Sequence, residues 1–514
     1  MRVLLINTNT KDDVLAAPPI GLGYVASAAS RAGHEVRVLD LCFQRRVRRS
    51  LEREIRGFRP DLVGLSIRNL DNVNLLHPIS YVPFAAEIAG WVRGLTDAPV
   101  VLGGSGASIC PEGVLRELGA DYVVVAHGER PFVRMLEAME GGGAPEGIPG
   151  VGCVRDGSFR LNPPERPWVR PGASRLHRWV PMAPYRAMGC SYPVQTKRGC
   201  RHRCVYCVYN GILEGHGLIP RDPVEVVDEL EEVHHRVRPD TFIFVDAVFN
   251  DPVDHSAAIL EEILRRPWKA RFTAMGVSPR GLTRDRLDLM WRAGFRSFMS
   301  SPDTASGAVL ESYRKGFSID DLAHAVEALN RTRFTVFWYF LLGGPGETTG
   351  TVQESFDFIV DRLDPGRRPP YHMAFFFLGI RVHPHTPVAD LALEQGLIGE
   401  ESDPLYPLWY VSPDLDLEPA LEGLDRLSRT HDWIVPGTLE RYFPWTRWLK
   451  VVGRFLPLPK PYWRHTWGYA RLMRRFGIDT SLRPAAAASA VRAVLDRQKD
   501  GAGGPGVRHR SGKA

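Results

Sequence analysis

Lys197-Arg198-Gly199-Cys200-Arg201-His202-Arg203-Cys204-Val205-Tyr206-Cys207 carries three of the chain's seven cysteines, spaced C-x3-C-x2-C. Thiolates this close converge on one metal centre, and soft sulfur donors select zinc or an iron–sulfur cluster. A structural zinc needs four ligands and a closed shell. Its fourth ligand would be a histidine such as His202 or His216, and His202 lies inside the cysteine loop, badly placed to complete a tetrahedron. A four-iron cluster has four corner irons; three cysteines fill three of them and leave one open to another ligand. An aromatic residue, Tyr206, stands just before the last cysteine.

The rest of the chain bounds the context. Its 514 residues suggest about three domains of roughly 150 residues each. Net charge is only +6, and lysine supplies eight of the 65 basic residues, the arginines being spread along the whole length. That pattern reads as a coding bias and predicts no nucleic-acid partner. Cys42, Cys110, Cys153 and Cys190 are scattered, with no paired framework and no secretory signal, so a reducing cytoplasm is expected. No run of about 18 apolar residues predicts a spanning helix.

Upstream of the cysteines, residues 1–140 alternate apolar strands with helical patterns, the mark of a parallel, doubly wound sheet. Ligands of such sheets sit at the carboxyl ends of the strands. Those ends are Asn7–Thr10, Ser66–Asn69 and Gly103–Ser108. No G-x-G-x-x-G follows the first strand, which argues against a dinucleotide. Residues 141–190 are a Gly/Pro-rich linker with a small hairpin around Asp156-Gly157. Residues 191–390 read as six strand–helix units, a partial (β/α)6 TIM-type barrel, with Tyr192–Thr196 leading into the cysteines. Residues 391–498 are a mainly helical region in which Leu405–Pro413 resembles the closing strand of a barrel superfamily, and 499–514 a disordered tail. From Trp433 to Phe476, Tyr442, Trp445, Trp448, Trp463, Trp467 and Tyr469 lie among arginines. This fits a cap over a substrate pocket or a peripheral membrane-contact surface. Pro444, Pro457, Pro459 and Pro461 interrupt a long amphipathic helix and favour the cap.

The cysteine motif resembles the signature of the radical S-adenosylmethionine (SAM) superfamily, and residues 1–140 resemble a Rossmann-like cobalamin-binding domain. Together they are similar to the cobalamin (B12)-dependent radical SAM enzymes, class B methyltransferases in particular. The resemblance implies a [4Fe-4S] cluster on Cys200, Cys204 and Cys207, with SAM on the open iron and Tyr206 packed over the cluster. It implies SAM contacts from Asp246 and Asn250 after the second strand, Ser301 and Asp303 after the fourth, and Gly344 and Gly346 after the fifth. Arg381 would meet the SAM carboxylate or the substrate. Ser66, Gly103, Gly104 and Ser105 would line the slot for the cobalamin tail. The family's Asp-x-His-x-x-Gly loop is absent; Asn7-Thr8-Asn9-Thr10-Lys11-Asp12-Asp13 stands in its place and offers cobalt no histidine. Arg68 and Asn69 would then face the lower side of cobalt, and a guanidinium has no lone pair to donate.

The implied activity is C-methylation of an unactivated carbon through a 5′-deoxyadenosyl radical and methylcobalamin. It implies a small-molecule or lipid substrate and a flavodoxin- or ferredoxin-type electron donor. A cobalamin-dependent rearrangement or cyclisation without methyl transfer is the alternative within the family. A non-catalytic cobalamin sensor is the alternative outside it, disfavoured because a structural cluster would hold four protein ligands.

Overall fold

Alternating Val, Leu and Ile build the first sheet. In β1 (Arg2–Asn7), Val3 and Leu5 face one side and Leu4 and Ile6 the other, all four buried. The first pair joins the core under helices Ile20–Arg31 and Glu129–Glu140. The second joins the core under Val47–Phe58, Val82–Arg93 and Pro111–Leu118. A computed structural model of the chain describes residues 1–10, 16–166, 170–363, 371–437 and 482–499.

The remaining strands of this sheet are β2 (Glu35–Asp40), β3 (Leu62–Ser66), β4 (Val100–Gly103), β5 (Tyr122–Val124), β6 (Val151–Arg155) and β7 (Ser158–Leu161). Their order is β2-β1-β3-β4-β5-β6-β7. The first five strands are parallel, and β6 and β7 are antiparallel. The hairpin expected in the linker therefore completes this sheet, because the edge of β5 offers it unpaired backbone groups. Register aligns Asn7 with Ser66 and Ser66 with Gly103. One row of residues thus crosses the carboxyl edge at the switch point between β1 and β3.

The second unit is a partial barrel. β8 (Tyr192–Val194), β11 (Phe242–Phe244) and β12 (Phe272–Ala274) form one parallel sheet. β13 (Ser297–Asp303), β14 (Thr335–Leu342), β15 (Tyr371–Leu378) and β18 (Ile434–Pro436) form another. The two adjoin where the Val277 N–H donates to the Met299 carbonyl (2.9 Å). Helices such as Pro223–Arg236, Val253–Arg265 and Arg284–Ala293 cover the outside.

Two short antiparallel ribbons stand apart: β9 (Lys197–Arg198) with β10 (Ile219–Pro220), and β16 (Ile380–Val382) with β17 (Leu408–Tyr410). Here the structure corrects the sequence reading. The segment containing Leu408–Tyr410 does not close the barrel; it pairs with β16 outside it. The seventh parallel strand is β18, too short and too close to the Trp/Arg-rich stretch to show a strand pattern. Helices Leu417–Thr430 and Pro484–Lys499 give the C-terminal region its helical character. Tyr442, Trp445, Trp448, Trp463, Trp467, Tyr469 and the tail 500–514 lie outside the described residues. No helix among the described residues is long and apolar enough to cross a membrane.

Three buried imidazoles make this fold acid-sensitive. Burial pushes His372 down to about 4, and the Trp338 indole N–H donates to its Nδ1 at 2.9 Å. Burial pushes His127 and His383 down to about 3, Arg198 and Arg381 respectively adding to the effect. Each is neutral in the folded chain but titrates near 6.5 when unfolded. Their stabilising contribution is present above pH 6.5 and is lost as the pH falls toward the folded values. Thermal melts between pH 7 and 4.5 should show a falling Tm, and His372→Asn should lose less over that range than the parent.

Candidate active site

The cysteine loop begins where β8 ends. Thr196 and Lys197 are held from behind by Asp246, which follows β11. Its Oδ1 accepts from the Thr196 and Lys197 N–H groups (2.7 and 3.1 Å), and its Oδ2 from the Thr196 hydroxyl (2.7 Å). The Lys197 ammonium lies 3.5 Å from the same carboxylate and donates to the Phe249 carbonyl at 3.0 Å. Gly199 has φ +88°, and a Cβ there would overlap the Gly217 carbonyl oxygen. Only glycine fits this entry to the loop. Glu214 accepts the Gly199 N–H (2.8 Å) and the Gln195 amide (3.0 Å). Burial raises the Glu214 carboxyl, and the Gly199 hydrogen bond opposes the rise.

Within the loop, Cys200 is buried, and Cys204 and Cys207 are half-buried. The Cys200 N–H donates to Gly215, Val205 to Tyr313 and Cys207 to Cys204, at 3.3, 3.2 and 3.1 Å. Burial pushes the Cys204 thiol up to about 11, and the Lys315 ammonium works against it. Three soft donors sit on one short, pinned loop, with the other four cysteines elsewhere. This donor set suits a cluster with one open corner. His202 supplies no fourth ligand geometry: its Nδ1 side packs against Gly316 and its Nε2 lies 3.9 Å from Asp251.

Tyr206 ends the loop in a buried triad. Its hydroxyl donates to Asp303 Oδ2, and the Lys315 ammonium reaches both Asp303 Oδ2 (2.5 Å) and the Tyr206 oxygen (3.0 Å). Burial pulls Lys315 down, but Asp303 outweighs it and leaves the ammonium raised. Lys315 carries no motif that marks it in the sequence. Its one signal is that it is one of eight lysines in an arginine-rich chain, as is Lys197.

Several residues expected to contact SAM also have partners within the protein. Both Asp246 oxygens serve the start of the cysteine loop. Asn250 exchanges hydrogen bonds with the Ser278 backbone (2.8 and 2.9 Å) and is buried. Arg381, with a side chain 2 % exposed, donates to Asp71 Oδ2 at 2.8 Å and to the carbonyls of Val382, Leu408 and Pro404. These bonds use four of the five guanidinium N–H donors, so the side chain is held mainly by protein acceptors. Asp303 Oδ2 is held by the triad. Ser301 is exposed on β13. Gly344 lies against the Tyr313 hydroxyl, and Gly343 and Gly344 donate to Glu347.

The first sheet meets this loop directly. Ile212 and Leu213, just beyond Cys207, pack into the core under β3 and β4. Arg198 is ion-paired with Glu129 at the end of β5, and its guanidinium lies 5.2 Å over the Tyr24 ring. Burial raises Glu129, but Arg198 outweighs it and holds the carboxyl low. Glu129 was not singled out in the sequence, although its place just past a strand's carboxyl end could have marked it. At the same edge Gly104 has φ +98°, and a Cβ would stand 2.5 Å from the Ile67 carbonyl oxygen. The Ser105 hydroxyl donates to the Arg68 carbonyl (2.6 Å), and Thr8 to that of Ser66 (2.8 Å). The side chains of Arg68 and Asn69 are exposed there, among the described residues that face the cysteine loop. Arg68 is close enough to act electrostatically on Tyr209.

Two expectations follow. Cys204→Ala should retain almost no iron or sulfide after anaerobic reconstitution, whereas Cys153→Ala, in the first sheet, should load normally. Asp71→Asn leaves the Arg381 charge buried and unpaired. It should cost roughly 3–5 kcal/mol in denaturant melts, with Asp71→Leu/Arg381→Met costing clearly less.

A model of the B12 binding domain matches residues 12–136, and one of the radical SAM superfamily matches residues 194–359. An uncharacterized methyltransferase of Pyrococcus horikoshii is 26% identical over 379 residues, covering 70% of this chain and 77% of the relative. The tryptophan 2-C-methyltransferase of Streptomyces laurentii is 26% identical over 458 residues, covering 76% and 74%. The radical SAM methyltransferase TsrM of Kitasatospora setae, solved with cobalamin and a [4Fe-4S] cluster, superposes with a TM-score of 0.78 at 24% identity. It covers 92% of this chain and 98% of that one. Solved with tryptophan and a SAM analogue, the same enzyme gives a TM-score of 0.81. With a B12-binding domain ahead of a radical SAM domain, the chain is a homologue of the cobalamin-dependent radical SAM methyltransferases.

Proposed function

We propose that this chain methylates an unactivated carbon of a small molecule, using a [4Fe-4S] cluster, SAM and cobalamin. The observation that carries the reading is the contact between the three-cysteine loop and the carboxyl edge of the first sheet. It is made by Ile212, Leu213 and the Arg198–Glu129 pair. A radical at carbon is lost to oxygen or to a weak X–H bond nearby unless the methyl donor already stands opposite it, so the two cofactors need fixed, adjacent places. When bound, the cluster and SAM supply the carbon radical, and cobalamin supplies the methyl group.

In this reading Cys200, Cys204 and Cys207 hold the cluster, and Tyr206 shields it from solvent. The Lys315 ammonium offsets the negative charge that thiolate ligands bring into a buried site. Ser301, Gly344 and Gly346 border the place for SAM. Ser66, Gly103, Gly104 and Ser105 cradle the cobalamin tail, where close backbone approach needs small residues. Arg68, exposed at the same edge with Asn69 beside it, would stand near cobalt without ligating it. Residues 1–161 form the cobalamin unit and 191–437 the barrel unit of the reaction. Unpaired thiols and an oxygen-sensitive cluster fit a reducing cytoplasm, and a flavodoxin- or ferredoxin-type donor supplies the electron.

Anaerobic reconstitution with hydroxocobalamin, reductant and SAM tests the proposal. Formation of both 5′-deoxyadenosine and S-adenosylhomocysteine is expected. Deoxyadenosine alone would point to a rearrangement. Cobalamin bound with neither product would point to a sensor. Cys204→Ala should abolish deoxyadenosine.

A further inference from the structure

The barrel strands have two chemically different faces. On β13, β14, β15 and β18 the outward residues Phe298, Val336, Trp338, Phe376 and Ile434 join the large core under the helices. The inward residues form a separate cluster of Phe337, Met373, Phe375 and Val435, with Met299, Tyr339 and Phe377 packed against it. Strand register stacks the inward side chains in rows: Met299, Phe337 and Met373; then Tyr339, Phe375 and Val435; then Leu341 and Phe377. The rows climb toward the carboxyl ends. There Leu341 packs with Tyr206 against the small core around Tyr313. The lumen therefore opens beneath the cysteine loop.

Its wall is aromatic and thioether, and it is not closed. The Tyr339 and Phe375 rings stack 5.3 Å apart at 20°, with Phe377 at 5.9 Å from Tyr339 and Phe337 at 6.4 Å from Phe375. Met299, Tyr339 and Phe377 are only partly buried, and Met275, just past β12, is 46% exposed. None of the inward rows carries a charge. Three cations around the barrel's carboxyl ends are already paired: Lys197 with Asp246, Lys315 with Asp303, and Arg381 with Asp71 of the first unit. Arg68 lies on the other side of the loop, on the first sheet. The Tyr339 hydroxyl has no hydrogen-bond partner among the described residues, and burial alone pushes it up to about 12. It stays protonated and can donate.

We infer that the part of the substrate admitted to the lumen is a neutral aromatic ring, stacked in the Tyr339–Phe375 layer with one polar ring substituent hydrogen-bonded to the Tyr339 hydroxyl. The inference rests on the methyltransferase reading for its chemistry, but the binding site stands on the wall itself. Aromatic faces and flanking thioethers favour a flat ring over a saturated chain of equal size. A phosphate or carboxylate in the same place would be desolvated with no cation to receive it.

The test is binding to the reconstituted full chain without SAM, by saturation-transfer NMR titration. The probes are 4-methylphenol, 4-methylcyclohexanol and 4-methylphenyl phosphate. The phenol should bind about fivefold or more tighter than either of the others. Tyr339→Phe, which keeps the packing, should weaken 4-methylphenol but leave toluene unchanged; Phe375→Leu should weaken both. Thermal melts identify any variant that fails to fold, and Tyr339→Phe then decides alone. Equal or tighter binding of the cyclohexanol or of the phosphate overturns the inference. So does absence of binding by all three, or indifference of 4-methylphenol to Tyr339→Phe. These outcomes are independent of whether deoxyadenosine and S-adenosylhomocysteine form, so the ring site and the methyl-transfer reading can fail separately.

Discussion

Arg198 stands two residues before the first cysteine of the metal loop, and its guanidinium is buried against Glu129 of the neighbouring sheet unit. A buried ion pair adds little net stability, because desolvation takes back much of the Coulomb gain. Its value lies in geometry. Either charge left alone in that interior would be far more costly than the pair, so any sliding of one unit over the other is resisted steeply. Arg381 and Asp71 do the same on the far side of the interface, with both side chains almost fully buried. Two such anchors, with Ile212 and Leu213 seated in the first core between them, hold the cysteine loop opposite the glycine edge of the first sheet.

The same economy of charge organises the loop itself. Asp246 accepts three hydrogen bonds from Thr196 and Lys197, and Asp303 binds Lys315 and Tyr206. Each carboxylate at a strand end is thereby turned toward protein. What remains open at the carboxyl ends is backbone, thiol, Ser301 and the aromatic lumen. The barrel interior is left for uncharged carbon, which is the kind of atom that radical chemistry can address and acid–base chemistry cannot.

Much of this was legible in the chain. The C-x3-C-x2-C spacing marks one short thiol-rich loop because the donor count is a local property. The strand ends Ser66 and Gly103-Gly104 could be placed because hydrophobic periodicity marks where a buried strand stops. The protein partners of other site residues were not legible. Arg381, Asp246 and Asn250 sit at strand ends where the fold rule expects a ligand, and the rule cannot say whether a polar group faces the ligand or the chain. Arg381 finds its partner 310 positions away, in a loop of the other unit. Asp71 offers no local sign of that pairing. The strand β18 was missed because three residues carry too little period to read; the hairpin around Asp156-Gly157 was read, but not its pairing with β5, itself only three residues long.

The sequence by itself determined the clustering of three cysteines on one loop, the two-unit α/β architecture and the positions of the strand ends in the first sheet. These depend on spacing and burial period over tens of residues. Only the tertiary structure decided which charges are spent on holding the units together, that Lys315 joins Tyr206 and Asp303, and that Met299, Phe337, Tyr339, Phe375 and Phe377 share one wall. Those facts depend on strand register and on contacts between distant segments. Neither is encoded in any local stretch, because the free energy that selects them appears only when the whole core is packed.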